Sequence, residues 1–84
     1  YDLRFVRTKE KKEIDFLVLK KKKPWMLIEC KSNSTSPSPN LLYYSNLLNT
    51  RYNIQLVSTE GFDRYYSQSN IRVLNYEKFF SVLV

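Results

Sequence analysis

Two apolar segments flanking a run of lysines constrain this chain more than any other feature. "EIDFLVLK", Glu13 to Lys20, and "PWMLIECK", Pro24 to Lys31, are each the length of one strand, and the lysines Lys20–Lys23 lie between them. Short runs rich in aromatic and branched aliphatic residues, bounded by polar or proline-containing turns, read as strands, and two so close in sequence read as an antiparallel hairpin. Upstream, "YDLRFVRT" alternates with Tyr1, Leu3 and Phe5 on one side, and "KEKK" supplies a polar turn. A three-stranded meander is therefore predicted.

After the third strand comes "SNSTSPSPN", whose small polar residues read as a flexible loop. Ser38 is expected to cap a helix with Pro39 at its first position, where a missing N–H costs nothing. Leu41, Tyr44 and Leu48 then form its apolar face, over about Asn40 to Thr50. "NIQLVS", Asn53 to Ser58, is the fourth strand, and a helical crossover of this length makes it parallel to the third. "TEGFDRYYSQSN" reads as an irregular excursion and "IRVLN" as a short last strand. Asn75 is expected to cap a terminal helix offering Phe79, Phe80 and Leu83 to the core. The whole is one α/β domain over residues 1–84, with helices on both faces of a mixed sheet. Because the sequence opens on Tyr1 and not on methionine, it is expected to be a piece of a longer chain.

Side-chain alternation turns the hairpin into a prediction about charge. With Lys22 at the centre of the turn, Leu19 faces Trp25, Leu17 faces Leu27, Asp15 faces Glu29, and Glu13 faces Lys31, all on one side of the sheet. A first turn centred on Glu10 brings Arg7 opposite Glu13. That face is apolar near the lysines and charged at the other end. Like charges directly opposed across strands are destabilising, so Asp15 against Glu29 needs an explanation. Two readings are open at this point. A divalent cation held by both carboxylates relieves the repulsion; alternatively these are solvated edge charges, with Glu13–Lys31 and Arg7–Glu13 as ordinary cross-strand ion pairs.

The chemical inventory is narrow. There is no histidine and one cysteine, Cys30, which removes histidine-dependent triads, the usual zinc ligand and any internal disulfide, and fits a cytoplasmic setting. Alternation places the Cys30 side chain on the face opposite Glu29, as a core residue. A net charge of +6 favours a polyanionic partner such as DNA, and no apolar stretch is long enough to suggest a membrane. Lys20, Lys21, Lys22 and Lys23 are candidate phosphate contacts, although a solvated hairpin tip is the commoner use of such a run. Tyr43, Tyr44, Tyr65 and Tyr66 are candidate base-stacking rings, with packing around a thin core as the commoner role.

Asp15, followed one strand later by Glu29-x-Lys31 in "ECK", resembles the PD-(D/E)XK nuclease superfamily. "LRFVRTKEKKEIDFLV", "LIECKS" and "IRVLNYEKFF" together resemble the uncharacterised C-terminal domain of prokaryotic AAA-type ATPases, a group placed with that superfamily. The resemblance implies a restriction-endonuclease-like β-β-β-α-β core. It also implies Mg²⁺ or Mn²⁺ held by Asp15, Glu29 and the carbonyl of Cys30, with Lys31 orienting or activating the attacking water. Glu13 is the candidate for the further acid that many members carry on an N-terminal helix. The implied function is metal-dependent hydrolysis of DNA, with Asp15, Glu29 and Lys31 catalytic. A catalytically silent module that binds nucleic acid or protein beside an ATPase domain of the same chain is the alternative. A plain interaction domain is a third reading, in which the three site residues coincide by chance. A homodimer is expected if apolar surface around Trp25, Leu17 and Leu19 is left uncovered.

Overall fold

The computed structural model describes the backbone of residues 2–7 and 13–83 and the side chains of residues 16–81. Strands β1 (Asp2–Arg7), β2 (Glu13–Lys20) and β3 (Lys23–Cys30) lead into helix α1 (Pro39–Leu48) and strand β4 (Tyr52–Val57). Then come β5 (Asp63–Tyr66), β6 (Ile71–Asn75) and helix α2 (Tyr76–Leu83). The β-β-β-α-β order is the expected one, and the fold is α/β. One mixed sheet runs β1-β2-β3-β4-β6-β5, with β3, β4 and β6 parallel and the other neighbours antiparallel. The turn expected over "KEKK" lies outside the described residues.

The β2–β3 hairpin follows the predicted register along most of its length and departs from it at the tip. Phe16 pairs with Ile28, Leu17 with Leu27 and Val18 with Met26, as alternation about Lys22 requires. Leu19, however, pairs with Pro24 and not with Trp25, and Lys20 pairs with Lys23. The turn has two central residues, Lys21 and Lys22, both at positive φ (53° and 66°). That geometry matches the twist of a tight hairpin, and a bulge between Val18 and Leu19 takes up the extra residue. At the other end of β2, Arg7 pairs with Glu13 and Val6 with Ile14 as predicted, before the ladder shifts between Arg4 and Val6.

Helix α1 begins where the sequence indicates. The Ser38 hydroxyl accepts from the backbone N–H groups of Asn40 (3.2 Å) and Leu41 (3.4 Å), with Pro39 in the first turn. Asn49 ends it in the left-handed conformation, which asparagine tolerates. Leu41 and Tyr44 bury against Leu27, Val57, Ile71 and Val73, with Leu17 and Leu48 at the margin of this layer. On the opposite face Phe79 of α2 covers Ile54, Leu56 and Leu74, and Met26 and Ile28 complete the second layer. Asn75 caps α2 through its side-chain oxygen, which accepts from Glu77 N–H at 2.8 Å.

Four further expectations are corrected. The excursion before the last strand contains β5, a short edge strand paired with β6 from Asp63–Leu74 to Tyr66–Ile71. Phe80 is 53% exposed, because successive helical residues point about 100° apart and Phe79 takes the inward direction. Leu17 packs against the α1 layer, and Trp25 and Leu19 are half-buried, so these three do not form an open apolar patch. The Cys30 side chain is exposed and not in the core: it ends β3, while α2 packs over β4 and β6. The side chain of Leu83 lies outside the described residues.

Candidate functional site

Glu29 is the penultimate residue of β3 and shares the α1 face with Leu27. It is 3% exposed, an unusual place for a carboxylate. Its side chain is engaged in the fold, and its Oε1 atom is fully buried. In the parallel ladder Glu29 stands beside Gln55 of β4, which is completely buried. Gln55 accepts from the Ser38 N–H (2.8 Å) and donates to the carbonyls of Ser34 (2.7 Å) and Ser36 (2.9 Å). The start of α1 and the serine-rich segment before it are thus fastened to the strand next to Glu29.

Lys31 follows two residues after Glu29 and is exposed. Its N–H donates to the Leu56 carbonyl at 2.8 Å, so the chain stays in the sheet as far as Lys31. The Ser32 carbonyl then accepts from Ser58 N–H (2.8 Å) and from its hydroxyl, and the Thr35 carbonyl accepts from Tyr66 OH (2.7 Å). The segment read from sequence as a flexible loop is therefore tied at Ser32, Ser34, Thr35, Ser36 and Ser38. It has no secondary structure of its own; side chains of β4, β5 and Ser58 satisfy its polar backbone instead.

Asp15 occupies the β2 position next to Phe16, and Glu29 the β3 position next to Ile28; Phe16 and Ile28 are paired. The two acids are thus the next residues along adjacent strands. The side chains of Asp15 and Glu13 lie outside the described residues. Among the described side chains, which do not include those of Glu13 and Asp15, no three of His, Cys, Asp or Glu converge on one point. Among the described residues, this end of β3 offers the Glu29 carboxylate and the Cys30 carbonyl as oxygen donors. Oxygen donors are the type that suits a hard divalent cation.

The four lysines are not part of this arrangement. Lys23 and Glu29 are both on β3, about 20 Å apart at the usual rise per residue, so Lys20–Lys23 sit at the far end of the hairpin. Of the tyrosines considered for stacking, Tyr44 is core at 3% exposure, Tyr66 is half-buried, and Tyr43 and Tyr65 are exposed. Gln55 was not singled out by sequence reasoning. Its signal was an amide in the middle of the apolar run "NIQLV", where a buried polar side chain requires partners.

These features define an α/β domain with an acid and a lysine at the end of the third strand of a mixed sheet. The chain belongs to the family described as a domain of unknown function (DUF4143), whose family model matches residues 1–79. No curated protein and no solved structure matches it. Among the described residues no helix is long and apolar enough to cross a membrane.

Proposed function

We propose that this domain hydrolyses phosphodiester bonds of DNA at the C-terminal end of β3, with Mg²⁺ or Mn²⁺ held by Asp15 and Glu29 and with Lys31 facing the phosphate. The observation that supports this reading most is the burial of Glu29 beside the strand position of Asp15, two residues before an exposed Lys31. When bound, the cation supplies charge stabilisation on the phosphate and acidifies water, a chemistry that needs no histidine. Glu29 contributes an oxygen fixed by the strand, and Asp15 brings the second carboxylate from β2. The Cys30 carbonyl lies between Glu29 and Lys31 in the chain, and Glu13 is the further acid on β2. Lys31 offers a mobile ammonium that orients water or neutralises a phosphate oxygen. The resemblance to the C-terminal domain of AAA-type ATPases suggests an ATPase as the functional setting.

The engagement of the Glu29 side chain within the fold favours a second reading, in which the carboxylate is structural and the domain is a silent module beside that ATPase. Cleavage of linear, branched and single-stranded DNA in Mg²⁺ or Mn²⁺ separates the two. Hydrolysis that falls by about 100-fold or more in Lys31→Ala supports the proposal. No hydrolysis of any substrate, or hydrolysis indifferent to Lys31, supports the silent module.

A further inference from the structure

The lysine turn, remote from Glu29, lies at the same end of the sheet as half-buried Trp25, the exposed rings of Tyr52 and Tyr65, and two guanidinium groups. Lys20 Nζ sits over the Trp25 ring at 5.6 Å, and Trp25 meets Tyr52 edge-to-face with centroids 5.2 Å apart. The Arg51 guanidinium in turn covers Tyr52 at 5.4 Å. From there a hydrogen-bonded floor leads to the sheet edge: Asn70 donates to the Arg51 carbonyl (3.1 Å) and accepts from Tyr65 OH (2.7 Å). Asn53 donates to the Asn70 carbonyl at 3.0 Å. A cleft of about 570 Å³ opens over this floor, between Arg51 and Tyr52 on one side and Tyr65 and Arg72 on the other.

Tyr52 is 39% and Tyr65 56% exposed, although both are fixed at the start of a strand or by a side-chain bond. Among the described side chains, charge at this end is mainly positive. Asp63 is already held by Arg72 through two bonds of 2.9 and 2.7 Å, and Lys20–Lys23 and Arg51 remain as cations. Cations alternating with exposed rings on a preorganised surface bind single strands, by stacking bases on the rings and tracking phosphates with the charges.

We infer that the ledge formed by the Lys20–Lys23 turn, Trp25, Arg51–Tyr52 and Tyr65 is a binding surface for single-stranded nucleic acid. Bases stack on Tyr65 and Tyr52, and phosphates meet Arg51 and the lysine turn. The ledge stands on the opposite end of the hairpin from Glu29, and its binding requires neither a metal ion nor hydrolysis, so it holds whichever reading of Glu29 is correct.

The test is a titration of the protein with labelled single-stranded DNA or RNA of about 12 nucleotides, in EDTA and across a salt series. Trp25, the one tryptophan, reports on the same surface through its emission. Tyr65→Ala should weaken binding by about ten-fold, and Tyr65→Phe, which keeps the ring, should restore it. Lys21→Asn with Lys22→Asn suits the positive φ of the turn and should lower the slope of log K against log salt by about 0.7 per lost contact. DNA and RNA arms identify the sugar, and binding of either supports the inference. Affinity within about two-fold of the original in both the Tyr65→Ala and the lysine variants would overturn it. So would equally tight binding of poly-glutamate, the result expected of a surface for acidic protein segments.

Discussion

Glu29 on β3 and Gln55 on β4 stand side by side in a parallel pair on the α1 face, one 3% and the other 0% exposed. Two buried polar side chains adjacent in the sheet are costly unless each is held, and Gln55 is held at three points by the segment that joins Lys31 to α1. Gln55 therefore links the position of Lys31's onward chain to the strand beside Glu29. Replacing Gln55 by leucine leaves one N–H and two carbonyls without their partner. A loss of about 2–4 kcal/mol is expected in denaturant unfolding, with faster backbone hydrogen exchange at Ser38. An unchanged midpoint would show that the amide does not fasten the segment.

The turn at Lys21 and Lys22 places two side-chain-bearing residues at positive φ, the region favoured by asparagine and glycine in tight hairpins. Lys21→Asn combined with Lys22→Gly should raise stability by about 1 kcal/mol, or roughly 4–8 °C in Tm for a domain of this size. A lowered Tm would mean that the lysines make stabilising contacts that outweigh the backbone strain.

Asp63 is hydrogen-bonded to Arg72, which holds its carboxyl below the usual carboxylate range despite the opposing effect of burial; the charges of Arg72 and Lys78 act in the same lowering direction. The Arg72 side chain is 47% exposed, so solvent screening limits the pair to about 1 kcal/mol or less. A lowered native pKa means stability that is present above the unfolded value, near pH 4, and that is lost as pH falls through the native value. The stability gap between the original protein and Asp63→Asn should be constant from pH 5 to 7 and close as pH drops below about 4. A gap that widens on acidification would contradict the assignment.

Much of the architecture was legible because local signals and the global fold agree. Apolar alternation in "EIDFLVLK" and "PWMLIECK" fixed the pairing of Leu17 with Leu27, and Ser38–Pro39 marked the start of α1. The register error at Leu19 arose because four consecutive lysines do not reveal which two carry positive φ. β5 was missed because "DRYY" has no alternation and its pairing with β6 comes from tertiary context at the sheet edge. Glu29 and Lys31 were visible as a spaced pair, but burial of the first and exposure of the second depend on where α1 lies. The role of Gln55 was hidden for the same reason, since its partners Ser34, Ser36 and Ser38 precede it by 17 to 21 residues.

Whether Asp15 and Glu29 together hold a divalent cation, as proposed, is decided by calorimetric titration with Mn²⁺ in the absence of DNA. Saturable binding to the original protein is expected, with loss of that binding in both Asp15→Asn and Glu29→Gln and its retention in Lys31→Ala, all variants being folded by circular dichroism. Absence of binding to the original protein, or equal binding in the two acid variants, would contradict the proposal.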